Sequence, residues 1–265
     1  MVGKCNFHTH TTWCDGRNSV EEMILGAFAR GYTALGFSSH AAFPADPWPW
    51  PLTAAKAPHY VAEVRRLAAA YAGRIRVLCG VEADYVRGAA RPDRSVYTAL
   101  GLDYVIGSVH TVVAPDGAWV DVDNTPEILV RGVNEHFAGD FVAFVRAYFE
   151  QEREMVATCD FDVVGHPDLV RKFNRVLGCF DEGAGWYADE LARTAEVIAA
   201  AGRLTEVNTG GIARGWIDDA YPSRAFRDLL RARGVRFLLS ADAHSVADLD
   251  VPYPRFEREE EYATL

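Results

Sequence analysis

Six of the eight histidines in this sequence stand where a short apolar run ends. His8 and His10 close the run Cys5–Phe7, and His40 follows Thr33–Ser38. His110 follows Tyr104–Gly107, His166 follows Phe161–Gly165, and Asp242 and His244 follow Val235–Leu239. Glu82 takes the same place after Ile75–Val81. Imidazole and carboxylate are the usual ligands of divalent zinc, manganese and iron. His8 and His10 lie two residues apart and face one side of a strand, as do Asp242 and His244. A single carboxylate can bridge two ions, so a few side chains suffice for a multinuclear site. Any one of these histidines alone reads as a satisfied structural residue. Repetition of the same placement from run to run points instead to a convergent metal cluster.

Such a cluster needs elements that bring the run ends together. The runs are strand-length and mostly apolar, as parallel strands buried on both faces are. The sixth such run along the chain, Leu204–Val207, carries Glu206 and Asn208 at its end; these read either as site lining or as hydrogen-bonding groups of the strand end. Seven strands separated by helical patterns predict βα units closing into a seven-stranded barrel. In such barrels the active site lies at the carboxyl ends of the strands. Strand polarity alone therefore predicts that these polar residues meet.

The intervening helices carry their own punctuation. Ser19 and Glu22 form a capping-box pattern ahead of Val20, Met23, Ala27 and Phe28. Further amphipathic stretches are expected near 58–72, 140–158, 189–201 and 223–233, with Gly73, Gly202 and Gly234 as stops. His59 and His136 fall on predicted helices and are set aside. The segment 41–58, dense in Pro and Trp, does not fit a plain connection. It reads as a lid or binding loop, or as a rigid surface excursion. Trp48 and Trp50 would either stack on an imidazole or another ring, or pack within their own loop.

The 265 residues are 49% hydrophobic and 24% charged, an ordinary globular composition. No linker or repeat divides them, so one domain over residues 1–265 is expected. The formal net charge of −10 disfavours wrapping a nucleic-acid duplex, which needs clustered Lys and Arg. Cys5, Cys14, Cys79, Cys159 and Cys179 are scattered and odd in number, which argues against a disulfide framework. With no leader pattern and no membrane-length apolar run, a cytoplasmic protein acting on no membrane is expected.

The set His8-Thr9-His10, Asp15, Ser38-Ser39-His40, Gly80-Val81-Glu82-Ala83-Asp84, Gly107-Ser108-Val109-His110, Gly165-His166-Pro167-Asp168 and Ser240-Ala241-Asp242-Ala243-His244 resembles the polymerase-and-histidinol-phosphatase (PHP) superfamily, in family order and over nearly the whole chain. The resemblance implies a distorted (β/α)7 barrel with three divalent metals, Zn, Mn or Fe. It implies that His8, His10, Glu82 and Asp242 hold one ion, and that Glu82 bridges to a second held also by His110 and His166. Asp15, His40 and His244 would hold the third.

The segments 103–110 and 165–173 are most similar to the histidinol-phosphatase branch. That similarity implies a phosphomonoesterase of histidine biosynthesis, converting L-histidinol phosphate to L-histidinol and phosphate. Segment 206–214 resembles that branch's phosphate-binding turn, with Ala213 standing before Arg214 where the branch usually has the basic residue. Arg214, with Arg171 or Lys172, is the expected phosphate-binding set, Arg being suited to bidentate contact; the plain alternative is solvated surface charge. A metal-bound hydroxide is the expected nucleophile, since no Ser or Cys motif supplies one. Asp84 reads as polar loop chemistry, with ligand support or proton donation as alternatives. After His244 the branch usually has more chain, so a shortened closing helix or a different pocket is expected. Two other functions fit the same residues: a phosphodiesterase or nuclease on small nucleotides, and a non-enzymatic metal-stabilised module.

Overall fold

All seven apolar runs become parallel strands. In the computed structural model, which describes residues 3–43, 46–249, 253–256 and 262–265, they are β1 (Lys4–Asn6), β2 (Tyr32–Ala41), β3 (Arg76–Asp84), β4 (Tyr104–Ser108), β7 (Val163–Val164), β8 (Leu204–Asn208) and β9 (Phe237–Ser240). They pair in the order β1-β2-β3-β4-β7-β8-β9. A parallel bridge between Thr9 and Ala243 nearly closes the barrel, through His10 N–H to Ala243 O at 2.9 Å and Ala243 N–H to His8 O at 3.2 Å. The closing bonds thus lie beyond the strands proper, among the residues singled out for chemistry.

The two-residue period sorts the side chains. Residues on one side of the strands fill the barrel interior, where Phe7, Ala34, Leu78, Tyr104, Ile106, Val163 and Leu238 form an apolar floor. On β3 that side runs Leu78, Gly80, Glu82, so the interior changes from apolar to ionic along a single strand. The Tyr104 hydroxyl donates within the interior, 2.6 Å from Phe7 O and 2.9 Å from Phe37 O. A Cβ on Gly36 would lie 2.5 Å from that oxygen, and one on Gly80 2.6 Å from the ring, so glycine makes room for the tyrosine. The other side packs under the helices in the larger core, which includes Leu35, Phe37, Val81 and Val105.

The α-helices among the described residues are α1 (Val20–Ala29), α2 (Ala57–Ala70), α3 (Pro126–His136), α4 (Phe141–Thr158), α5 (Asn174–Leu177), α6 (Gly185–Ala201), α7 (Gly210–Ala213), α8 (Arg224–Arg231) and α9 (Tyr253–Phe256). The capping box of α1 forms: Ser19 N–H donates to Glu22 Oε2 at 2.8 Å, and Glu22 N–H donates to Ser19 Oγ. Asp140 and Ser223 cap α4 and α8 through their side chains. α6 starts four residues earlier than the sequence pattern suggests, at a turn where Ala184 gives no side-chain cap. No helix among the described residues is long and apolar enough to cross a membrane. Much of the stretch after His244, including 250–252 and 257–261, lies outside the described residues, and so does the expectation attached to it.

An antiparallel hairpin, β5 (Thr111–Val113) and β6 (Trp119–Asp121), was not among the expected elements. It turns at Pro115-Asp116-Gly117, with Gly117 at φ +86°. The loop after β2 comes back beside it. Leu52 pairs with the end of β2, and Phe43 lies against Trp119 with ring centroids 5.8 Å apart.

Candidate metal centre

His40 and Glu82 are directly opposed on paired strands, β2 and β3. His110 and His166 leave the sheet two residues beyond β4 and β7, and Asp242 two beyond β9. Asp242 holds a left-handed backbone at φ +48°, a conformation a non-glycine residue rarely takes without a local reason. Asp15 sits in a turn tied by Cys14 N–H and Gly16 N–H, both donating to Thr11 O at 3.0 Å. All nine residues read from the sequence as ligands meet at this end of the barrel.

Glu82 lies at the middle, 1% exposed. Its Oε2 is 3.1 Å from His8 Nε2, 3.5 Å from His10 Nε2 and 3.1 Å from His40 Nδ1. Its Oε1 is 3.0 Å from His166 Nε2 and 3.4 Å from His110 Nε2, and accepts from Ser108 Oγ at 2.7 Å. Each oxygen therefore faces its own set of imidazoles. A second group gathers His10, Asp15, His40 and His244, with His244 Nε2 3.0 Å from Asp15 Oδ2. Asp242 Oδ1 approaches His10 Nε2 at 3.4 Å and His8 Nε2 at 3.8 Å. The geometry thus shares His10 and His40 between neighbouring groups, whereas the family resemblance assigns each to one ion.

The donor set fits divalent cations. His8 Nε2, His10 Nε2 and His40 Nδ1 are buried and make no hydrogen bond among the described residues, although each stands within 3.5 Å of a carboxylate oxygen. Two atoms that each ligate one ion at ~2.1 Å are separated by about 3 to 3.4 Å, the spacing found here. His110 shows the matching orientation. Its Nδ1 lies 2.8 Å from Asp84 Oδ1, an acceptor, so Nδ1 donates and Nε2 is the ring atom turned to Glu82 at 3.4 Å, available to an ion. Burial works against ionising Glu82, but the charges of His8, His40 and His110 and the bond from His166 hold its carboxyl well below the usual range. Asp242 is likewise buried, and Arg214 and His8 hold its carboxyl low.

A cavity of about 310 Å³ opens onto this cluster, at the small end of the range for small-molecule sites. Phe43, Trp48 and Trp50 form one wall, and the Trp50 ring stands edge-on to His40 at 5.0 Å. Arg214 and Lys172 both face the cavity. The Arg214 guanidinium donates to Asp242 Oδ2 at 3.1 Å, and Lys172 Nζ donates to Asp123 Oδ2 at 2.9 Å. Arg171 is not part of the lining. It is buried and bonded to Glu182 at 2.6 Å and to Asp168 at 3.4 Å, with Asp168 fully buried. Sequence reasoning passed over Asp121, Asp123 and Asn124, which the hairpin brings into the cavity wall. The Pro-Asp-Gly turn at 115–117 was the signal that could have found them. Burial and the charge of Asp123 push the Asp121 carboxyl up to about 6.

Residues 6–210 match the family described as PHP domain. The chain belongs to the PHP domain family. This PHP protein is 32% identical to "Probable histidinol-phosphatase" of Deinococcus radiodurans over 94% of its own length and 89% of that protein's. It is 26% identical to the protein of that name in Schizosaccharomyces pombe, over 93% and 82% of the two chains. These relatives place it in the histidinol-phosphatase-like branch of the family. Its fold matches a Listeria monocytogenes protein named hisK with a TM-score of 0.83 at 21% identity, over 96% and 100% of the chains. A histidinol phosphate phosphatase of Lactococcus lactis, solved with zinc, L-histidinol and phosphate, matches with a TM-score of 0.63 at 19% identity, over 92% and 87%.

Proposed function

We propose that this PHP protein is a metal-dependent phosphomonoesterase that hydrolyses L-histidinol phosphate to L-histidinol and phosphate. The observation that carries this reading is Glu82, whose two oxygens face separate imidazole sets beside a small cavity lined with Arg214 and Lys172. The names of the Deinococcus and fission-yeast relatives support the substrate.

In this reading His8, His10, Asp15, His40, Glu82, His110, His166, Asp242 and His244 hold divalent ions, three in number and drawn from zinc, manganese and iron. Such a centre supplies positive charge to phosphoryl oxygens and lowers the pKa of water. Arg214 adds a planar guanidinium to the same wall, suited to two phosphoryl oxygens at once. Its present partner, Asp242, holds it at the cavity edge without closing the cavity. Lys172, steadied by Asp123, adds a second cation. Phe43, Trp48 and Trp50 offer ring faces to the imidazole of the leaving alcohol and keep water from that side. The net charge of −10 weighs against a polyanionic nucleic acid as substrate. No disulfide joins the five cysteines, which fits a reducing compartment, and we assign the enzyme to the cytoplasm and to histidine biosynthesis.

The test is a set of kcat/KM values after chelation and reloading with Mn(II), Zn(II) or Fe(II). The substrates are L-histidinol phosphate, a mononucleotide, a cyclic nucleotide and a short single-stranded oligonucleotide. L-Histidinol phosphate is expected to be the best of the four. A preference for the cyclic nucleotide or the oligonucleotide would overturn the substrate, and activity that survives chelation would overturn the metal requirement.

A further inference from the structure

β8 is the one strand of the seven whose end supplies no proposed ligand, yet its two interior polar side chains are among the most buried in the molecule. Glu206 is 1% exposed and Asn208 is fully buried. Glu206 Oε1 accepts from the backbone N–H of His166 at 2.8 Å and from Asn208 Nδ2 at 2.9 Å. Its Oε2 accepts from Ser240 Oγ at 2.6 Å and lies 2.9 Å from His8 Nδ1. The orientation of Asn208 is determined from outside. Gly210 N–H donates to its Oδ1 at 2.8 Å, so its Nδ2 is the end that reaches Glu206 and, at 3.3 Å, Asp242 Oδ2.

Counting donors then decides the histidine. Backbone N–H and amide NH2 groups can only donate, and a carboxylate only accepts. With the peptide N–H and the amide on one oxygen and the Ser240 hydroxyl on the other, the carboxylate is left an acceptor toward His8, so His8 Nδ1 carries the proton. His8 Nε2 is then the ring atom turned to the site, 3.1 Å from Glu82 Oε2, and the one that would give its lone pair to an ion. We infer that Glu206 is the positioning residue of the centre: it holds His8 as the Nδ1–H tautomer, fixes the backbone of His166, and through Asn208 aligns Asp242. This rests on the reading of His8, His166 and Asp242 as metal ligands. Ligating histidines commonly donate their second ring N–H to a carboxylate, and loss of such a partner costs about 10- to 100-fold in metal affinity. His8 and the backbone of His166 bond to this carboxylate directly and Asp242 is tied to it through Asn208, so the upper part of that range is expected.

Two measurements test this. The first needs no substitution: long-range proton–nitrogen correlation on ring-15N-histidine protein, metal-free at pH 8, is expected to show His8 protonated on Nδ1. A ring without a proton on Nδ1 would overturn the inference. The second titrates Mn(II) and Zn(II) into wild type, Glu206→Gln and Glu206→Asp. Glu206→Gln is expected to bind about 100-fold more weakly, with Glu206→Asp recovering part of the loss. Wild-type affinity in Glu206→Gln would overturn it. A wild-type protein that takes up neither metal would instead overturn the metal-centre reading, and the His8 ring signal would still decide the part assigned to Glu206.

Discussion

Glu82→Gln keeps the shape of the side chain and removes one charge and one acceptor. The amide orientation that keeps the Ser108 hydroxyl as donor leaves the oxygen on the Oε1 side and puts the NH2 in place of Oε2. An NH2 cannot ligate a cation, and it would face His8, His10 and His40 at 3.1 to 3.5 Å. The Oε1 side keeps a ligand atom but loses its charge. In the proposed centre two ion positions would be weakened by one substitution. Partners one shell removed from a metal already cost about 10- to 100-fold in affinity, so a direct bridging ligand is expected to cost at least 100-fold. The consequence is readable as heat stability. At metal 100 times its Kd the wild type gains about 2.7 kcal/mol, or roughly 5 to 10 °C in Tm for a chain of this size. At the same metal concentration the variant gains about 0.4 kcal/mol, or ~1 °C. The assay is Tm with and without Mn(II), paired with elemental analysis of bound metal. Asp15→Asn is the control, because Asp15 faces only the group of His10, His40 and His244. Equal metal loss and equal Tm increments in the two variants would refute the bridging role.

Arg214→Ala is expected to lower kcat/KM for a phosphate monoester by about 10- to 100-fold, the scale of a lost hydrogen bond to a charged group, through both KM and kcat; unchanged kinetics would return Arg214 to plain surface charge. Arg171→Met is expected to act on stability instead. It strands the fully buried Asp168, at a cost of about 3 to 5 kcal/mol, and a Tm equal to wild type would contradict this. Asp121→Asn is expected to raise the Tm of the metal-free protein at pH 7 to 8 and to leave it nearly unchanged at pH 4. The sign follows from a native pKa of about 6 against an ordinary 3.8: the folded state holds the proton more tightly, so the carboxyl stabilises it below pH 4 and that contribution is lost as pH rises through 6. A Tm gain of the same size at both pH values would count against the raised pKa.

The barrel was legible because two local signals agree at every strand. An apolar run buried on both faces ends, and a polar side chain follows within two residues; parallel pairing then puts those side chains at one rim. His40 and Glu82 needed nothing more than that to meet. The hairpin was not legible in the same way. Its strands are three residues each, with Asp and Thr among them, and only the Pro-Asp-Gly turn marks it. Arg171 and Lys172 illustrate a different limit. They are adjacent and chemically alike, yet a short turn sends the first to Asp168 and Glu182 and the second to the cavity. Periodicity carries no information about a single turn whose direction is set by packing. Glu206 was left open between site lining and strand-end bonding because its partners come from three other strands, each distant in sequence.

The seam of the barrel has a bearing on how the protein is made. β1 and β9 are not paired along their lengths; they meet through Thr9 and Ala243, flanked on one side by His8 and His10 and on the other by Asp242 and His244. A nascent chain that has exposed everything through β8 still lacks one bank of this seam. Its first strand lacks the bridge between Thr9 and Ala243 until β9 and the residues just after it have left the ribosome. The contact that ends the wait has one of the largest sequence separations in the fold, and pairings of that kind form late. Its entropic cost rises only slowly with loop length, so the delay is one of timing more than of stability. An ion held across the seam would act as a clasp fastened after the garment is on, and a chain stopped short of β9 would carry most of the proposed ligands and none of the closure.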